Sequence, residues 1–445
     1  MKVTSSFDFD VVALQTEDTL TALVAFDAPI SESDVARPGE CLIPILDRSG
    51  SMSGEPMNSC KQALHTLVDR MKPQDVFGLV TFNGEARIHV PTRLIRDHDI
   101  AVVHNLIESL NTGGNTDLSA GYLLGLDQAR RNVQPTGASV ILLSDGHANS
   151  GIRSLSKIGE IASSALAESI TSTTIGIGQG YDETLLAQIA TSGNGAHRFA
   201  FTSDDAIAIL SEEGGDLLNK SVINAFLRIV PNDPALVDGI GTPQDVGKWL
   251  EHNDNGDPVV VIPIGDIYAG ERRELLVQFK LPGISDLGQH TIGDFVFDFV
   301  SLPALEQSQV TWPITVNVGT SDEASIRVAD PIVTTAVLIT ESAKAQREAS
   351  ENLRNGLTDA ASTNIQDRID RFGELLVTLP DTEESNVVRV SLQREIDHLN
   401  KLARGIKFED ANLMSKSLSE ESTAGLRGRN RDENRRDRSR GKRDF

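Results

Sequence analysis

A chain of 445 residues exceeds what one ordinary hydrophobic core organises, so two or three domains are expected. Its apolar share of 39% is that of a folded globular protein and excludes a wholly disordered chain. The 64 acidic residues outnumber the 41 Lys and Arg to leave a formal charge of −23, which argues against nucleic acid as the main partner, because a phosphate backbone is gripped by clustered cations.

The opening MKVTSSFDFD has one lysine, two early aspartates and no apolar run, so it does not read as a secretory signal. No stretch reaches the ~18 apolar residues of a membrane span. A cytoplasmic location without membrane contact is therefore expected, and the two cysteines fit that compartment. Cys41 opens a predicted strand, and Cys60 lies about one turn into the helix that follows the strand's far end. That separation is too great for a disulfide within one chain.

In chain order, residues 1–36 read as strands (SSFDFDVVAL, LTALVAFDA). Residues 37–219 then alternate short apolar strands with amphipathic helices. CLIPIL precedes a helix with Met57, Cys60, Leu64, Leu67 and Met71 spaced by three and four, and Pro56 is tolerated in its first turn. VFGLVTF and ARIHV are separated only by Asn83, Gly84 and Glu85, the signature of an antiparallel hairpin. Helical patterns follow at 100–110 and 118–131. The strand ASVILLS precedes a helix through Leu155, Ile158, Ala162 and Ala165. STTIGIG, a helix near 182–189, HRFAF and a helix near 204–218 close the run. Repeated β-α units predict an α/β fold, a doubly wound and mainly parallel sheet with one antiparallel edge strand. Ligands bind such sheets beyond the carboxyl ends of the strands. Pro44, inside CLIPIL, cannot donate to a ladder and requires a bulge or an unpaired position.

Residues 220–320 change to period-two strands (VINAFLRIV, PVVVIPI, RELLVQFKL, DFVFDFV, VTWPITVNV), which predicts a β-sandwich. The first 36 residues are expected to join it, leaving the α/β domain inserted between its two parts. Residues 331–410 carry three apolar stripes: Ile332, Ala336, Ile339, Ala343 and Leu353; Ala361, Ile365, Ile369, Phe372, Leu376 and Leu379; Val388, Leu392, Ile396, Leu399 and Leu402. They predict a small helical segment with a packed core. Residues 411–445 end in RGRNRDENRRDRSRGKRDF and are expected to be a disordered basic tail, the one part of the chain suited to an acidic surface or RNA.

The chemistry concentrates where the α/β pattern places a site. Asp47, Ser49 and Ser51 follow the first strand of that domain at alternate positions, so a curling loop brings three oxygens toward one point. Thr116 lies in the glycine-containing loop TGGNTDLSAG, and Asp145 directly follows ASVILLS, with Gly146 giving the chain room to turn. Hard cations take such oxygen donors, and Mg²⁺ demands near-octahedral geometry. Any one of these residues alone reads as a helix cap or turn polar group.

The segments DRSGSMSG, GGNTDL and LLSDGHAN resemble those of von Willebrand factor type A (VWA) domains, and the resemblance covers about 37–219, including the antiparallel edge hairpin. It implies a metal-ion-dependent adhesion site (MIDAS) built from Asp47, Ser49, Ser51, Thr116 and Asp145. Mg²⁺ is the expected ion, with Mn²⁺ or Ca²⁺ as alternatives. Only two of the five groups carry charge, so a bound ion stays electrophilic enough to accept a third carboxylate from outside. The expected partner is thus a protein presenting Asp or Glu, with an ATPase or a second copy of this chain among the candidates. The whole layout is similar to bacterial cytoplasmic proteins of this family that act as scaffolds. His147 reads as a surface-loop residue, and Arg48 as a local contact or part of the ligand face.

Enzymatic readings fare worse. A haloacid-dehalogenase phosphatase needs a second acid where Ser49 stands, a nucleophile elbow needs Ser where Met52 stands, and no Walker loop occurs. The chain is therefore expected not to be an enzyme. The alternatives to adhesion are a structural scaffold whose metal serves stability alone and, further off, a metal-dependent hydrolase.

Overall fold

The structure, a computed structural model, describes residues 1–29, 37–147, 149–178, 180–233, 236, 239–241, 249–253, 255–426 and 429–430. The chain divides into two compact units, one made of Met1–Ser31 with Ser221–Phe445 and the other of Glu32–Lys220. The first unit opens with β1 (Lys2–Phe7), β2 (Val12–Ala13) and β3 (Asp18–Asp27).

The second unit begins with β4 (Cys41–Asp47), α1 (Glu55–Arg70), β5 (Val76–Phe82) and β6 (Ala86–Leu94). It continues through α2 (Ile100–Glu108), α3 (Leu118–Arg131), β7 (Ala138–Ser144) and α4 (Leu155–Ala167). It ends with β8 (Ile170–Ile177), α5 (Glu183–Ser192), β9 (Asn194–Ala200) and α6 (Ser203–Leu217). The sheet order is β6-β5-β4-β7-β8-β9, parallel except for the edge hairpin β5–β6. Every residue of β4, β5, β7 and β8 is buried, which is why these strands read as unbroken apolar runs rather than alternating ones. Aspartate or serine caps the helices that follow the loops: Asp99 for α2, Asp117 for α3, Ser154 for α4 and Asp182 for α5. The chain winds from β4 to β5 on one side and returns to β7 on the other, so the order reverses beside β4 and opens a crevice at the carboxyl ends of β4 and β7.

Pro44 is accommodated by interruption rather than by a bulge. Toward β7 the register of β4 is continuous through Pro44. Toward β5 it pairs at Cys41 and Leu42, skips Ile43 and Pro44, and resumes at Ile45 in the same offset. The missing N–H therefore costs a local gap and leaves Asp47 in register. Cys41 and Cys60 are both buried and unpaired.

The remaining strands of the first unit are β10 (Lys220–Pro231), β11 (Ile240–Gly241), β12 (Trp249–His252) and β13 (Pro258–Tyr268). They are followed by β14 (Arg272–Leu281), β15 (Gly288–Ser301) and β16 (Glu306–Gly319). One sheet runs β1-β3-β14-β11 and the other β12-β13-β10-β15-β16-β2. Ten residue pairs join β3 to β14 across the intervening unit. Both sheets contribute to one apolar core, in which the rings of Phe26 and Phe297 stand 4.6 Å apart.

Helices follow: α7 (Ser321–Ser325), α8 (Pro331–Arg354), α9 (Thr358–Thr378), α10 (Glu383–Phe408) and α11 (Ala411–Leu426). A final short strand, β17 (Arg429–Asn430), pairs with β14. The apolar stripes of α9 and α10 face their common core, whereas Ile332, placed on the α8 stripe by spacing, is half exposed and Val333 is buried instead. The expectation of a disordered tail from 411 is corrected by α11. Met414 and Leu418 are fully buried there, and Ser350 Oγ donates to Ser415 O at 2.8 Å. The facing surfaces of α8 and α11 are built from small Ala, Ser and Thr side chains, which pack closely without the apolar periodicity that marks a core helix. Residues 431–445, the most basic part of that expected tail, lie outside the described residues. No helix among the described residues is long and apolar enough to cross a membrane.

Candidate functional site

β4 delivers Asp47, fully buried, to the carboxyl edge of the sheet. Its Oδ1 accepts the Ser49 N–H at 2.8 Å, an Asx-type bond that curls the next residues back over the strand end. Its Oδ2 accepts Ser144 Oγ–H at 2.6 Å. The Ser49 and Ser51 hydroxyls lie 3.1 Å apart, and Ser51 Oγ donates to Asp145 Oδ1 at 2.8 Å. Thr116 reaches the same place from the loop before α3. A Cβ built on Gly146 would stand 3.5 Å from Thr116 Oγ1, 3.6 Å from Ser51 Oγ and 3.8 Å from Asp47 Oδ2. The structure thus brings all five sequence-predicted residues together around one small space at Gly146.

Residues 42–213 match the family model of the von Willebrand factor type A domain. This stretch is a VWA domain. The uncharacterized protein sll0103 of Synechocystis sp. is 26% identical over 337 residues, 73% of this chain and 76% of that one. The uncharacterized protein YfbK of Escherichia coli is 32% identical over 254 residues; these span 55% of this chain and 42% of the relative. Among solved structures, the von Willebrand factor type A protein from Catenulispora acidiphila superposes with a TM-score of 0.72 at 17% identity, covering 97% of each chain. That likeness carries the fold alone. VWA domains generally mediate protein–protein interaction rather than catalysis, and commonly hold a divalent metal.

Three further residues organise the VWA loops in roles that the sequence does not signal. Ser144 clamps Asp47 from the neighbouring strand end and accepts the Gly146 N–H at 3.3 Å. Asn83, in the β5–β6 turn, holds the Thr116 loop: its Nδ2–H donates to Gly113 O at 2.7 Å, and its carbonyl accepts the Asp117 N–H at 2.6 Å. Gly114, at φ +88°, lets that loop pass Asn83, where a Cβ would meet Asn83 Nδ2 at 2.8 Å. On the far side, the Asn149 N–H donates to Thr116 O at 3.0 Å, so the loop after Asp145 is tied to the Thr116 loop. Ser119 joins in, accepting the Ile152 N–H at 2.9 Å and donating to Asp117 Oδ1 at 2.7 Å. The site is therefore a set of loops bonded to one another through both backbone and side chains. His147 is exposed, as expected. Arg48 donates to Asn83 Oδ1 at 3.1 Å, a local contact.

Burial pushes both carboxyl groups up. Asp47 is raised by desolvation against the opposing hydrogen bonds from Ser144 and Ser49. Asp145 is raised to about 6, first by burial and then by the charge of Asp47, against the Ser51 hydrogen bond. A raised folded-state value means that ionising Asp145 destabilises the metal-free domain above pH 6, and that this penalty fades as pH falls toward the ordinary value of 3.8. In EDTA, Asp145→Asn is accordingly expected to melt above the wild type at pH 8, with the gap closing by pH 4. A gap independent of pH would mean that the Asp145 charge is not the source of the strain.

Proposed function

We propose that the VWA domain holds a divalent cation, Mg²⁺ first, through Asp47, Ser49, Ser51, Thr116 and Asp145, and uses that site to capture a carboxylate of a protein partner. The observation that carries this reading is the space at Gly146, ringed by hydroxyl and carboxylate oxygens from three separate loops. The donor set fits the ion: all five ligating atoms are hard oxygens, and two carboxylates roughly balance a double charge. The raised Asp47 and Asp145 carboxyls support the same reading, because two acids held close together in a buried place lack a counter-charge. A cation held there supplies a Lewis-acidic position for an outside carboxylate.

The chain's own residues do the rest. Ser144 and the Ser49 N–H fix the rotamer of Asp47, and Asn83 fixes the loop that carries Thr116. Neutral hydroxyls in three of the five places add no further negative charge, so the ion keeps enough electrophilicity to accept an outside acidic group. The rim adds to this. The Arg48 guanidinium is held below its usual range by burial and by the charge of Arg87, with Glu85 opposing, and its buried Nε has no hydrogen-bond partner. Arg48 lies within the Asp47–Ser51 loop itself, in a protein that is otherwise strongly acidic.

The test compares wild type with Ser49→Ala/Ser51→Ala by Mn²⁺ titration and by capture of partners on immobilised protein, each in Mg²⁺ and in EDTA. Wild type is expected to bind one Mn²⁺ and to retain partners in Mg²⁺ only, with an excess of a short Asp-containing peptide displacing them. Cation binding without any change in capture would leave the metal a stabilising role alone. Equal Mn²⁺ binding by the double variant would sink the proposal.

A further inference from the structure

Helices α1 and α2 of the VWA domain face each other across two histidines that the adhesion reading does not use. His65 on α1 is followed one turn later by Asp69, and His104 on α2 one turn later by Glu108. The pairs cross over. His65 Nε2 stands 2.8 Å from Glu108 Oε1, and His104 Nε2 stands 3.1 Å from Asp69 Oδ1. Between them the two Nδ1 atoms approach to 2.5 Å. The ring centroids are 4.7 Å apart, 2.2 Å more than the nitrogens, a difference equal to twice the radius of an imidazole ring. The two nitrogens therefore meet head-on.

Each Nε2 that donates its hydrogen to a carboxylate leaves its own Nδ1 with a lone pair and no proton. Two such lone pairs aimed at each other repel unless a cation lies between them. Metal-binding histidines characteristically donate their other ring N–H to a carboxylate, and here both do so before any metal is added. Lys61 steadies one of these carboxylates: its Nζ donates to Glu108 O at 2.7 Å and lies 3.9 Å from Glu108 Oε2.

We propose that His65 and His104 form a second metal site, for a transition-metal ion of the Zn²⁺ class, bound through both Nδ1 atoms and oriented by Glu108 and Asp69. Among the described residues no group of three or more His, Cys, Asp or Glu side chains surrounds a common metal position. The site is therefore a two-histidine one, completed by water. The imidazole side chains are 23% and 29% exposed, which leaves room for that water on the solvent side. Zn–N bonds of ~2.0–2.1 Å meeting at a tetrahedral angle place the nitrogens about 3.3 Å apart, so a small tilt of the two partly exposed rings suffices. Imidazole donors select Zn²⁺, Cu²⁺ or Ni²⁺ over Mg²⁺, the reverse of the all-oxygen set at Asp47. An ion here fastens α2 to α1, the helix that leaves the Asp47 loop.

The experiment is a Zn²⁺ titration of the full chain carrying Ser49→Ala/Ser51→Ala, in saturating Mg²⁺, against a chromophoric chelator. That background removes the oxygen site, so the outcome does not depend on the adhesion reading. One equivalent of Zn²⁺ is expected, with affinity falling by at least about tenfold on adding His104→Gln or Asp69→Asn. Imidazole ¹⁵N spectra should show both Nδ1 signals moving with added Zn²⁺. Circular dichroism in EDTA checks that the variants fold, and exposed Asp69 supplies a second variant should His104→Gln fail that check. No uptake, or uptake that neither His104→Gln nor Asp69→Asn weakens, overturns the proposal and leaves a shared proton as the cation between the rings.

Discussion

Gly146→Val is expected to weaken divalent-cation binding at the Asp47 site strongly while the domain stays folded. Gly146 is not among the glycines with a positive φ, so a side chain meets no backbone penalty there. A Cβ alone sits at ordinary contact distances, 3.5–3.8 Å from Thr116 Oγ1, Ser51 Oγ and Asp47 Oδ2, and Gly146→Ala should be tolerated. Valine adds two methyl groups beyond that point, where the oxygens converge. Mn²⁺ affinity should fall by roughly 100-fold, equivalent to about 2.8 kcal/mol. Far-ultraviolet circular dichroism should be unchanged. The glycine variant is more discriminating than replacing a ligand, because it removes no donor and no charge. Wild-type Mn²⁺ binding by Gly146→Val would mean that the five oxygens do not share an ion.

The largest loss of stability from a single charged residue is expected at the opposite end of the same strands. Asp75, fully buried just before β5, accepts four hydrogen bonds. Oδ1 takes the Glu40 N–H at 3.0 Å and an Arg37 Nη1–H at 2.7 Å. Oδ2 takes the Lys72 N–H at 2.7 Å and an Arg37 Nη2–H at 2.6 Å. The carboxylate thereby joins the start of β4 to the turn before β5. Asp75→Ala strands two backbone donors and a largely buried guanidinium, and should cost about 3–5 kcal/mol. Because the chain has two compact units, the quantity to follow is the urea midpoint of the transition that added Mg²⁺ raises. A loss below about 1 kcal/mol would mean that water replaces these bonds without penalty.

Much of the VWA domain was legible in the sequence because its signals are local. Seven-residue apolar runs mark strands buried on both faces, three- and four-residue spacing marks the helices, and Asn83-Gly84-Glu85 marks the edge hairpin. The chemistry was legible for the same reason. Asp47, Ser49 and Ser51 form a short polar run after an apolar strand, and Thr116 and Asp145 occupy the loops that the α/β pattern assigns to the same sheet edge.

The bonding roles of Ser144, Asn83 and Asp75 escaped because serine, asparagine and aspartate are common near turns, and nothing nearby marks the partners that these three take. Ser144 matters through Asp47, 97 residues away, and His65 through His104, 39 residues away. The same limit explains α11. Its buried face sets Met414 and Leu418 among small hydroxylated residues whose burial depends on an equally small face of α8, so composition alone read it as a polar tail. Periodicity and turn chemistry are properties of neighbours along the chain, and the sequence by itself determined the strands and helices of the VWA domain and the five candidate ligands. Which side chains clamp those ligands, which carboxylate ties β4 to β5, and which histidines meet head-on were decided only by packing across the sheet and between helices, where contact follows distance in space rather than position in the chain.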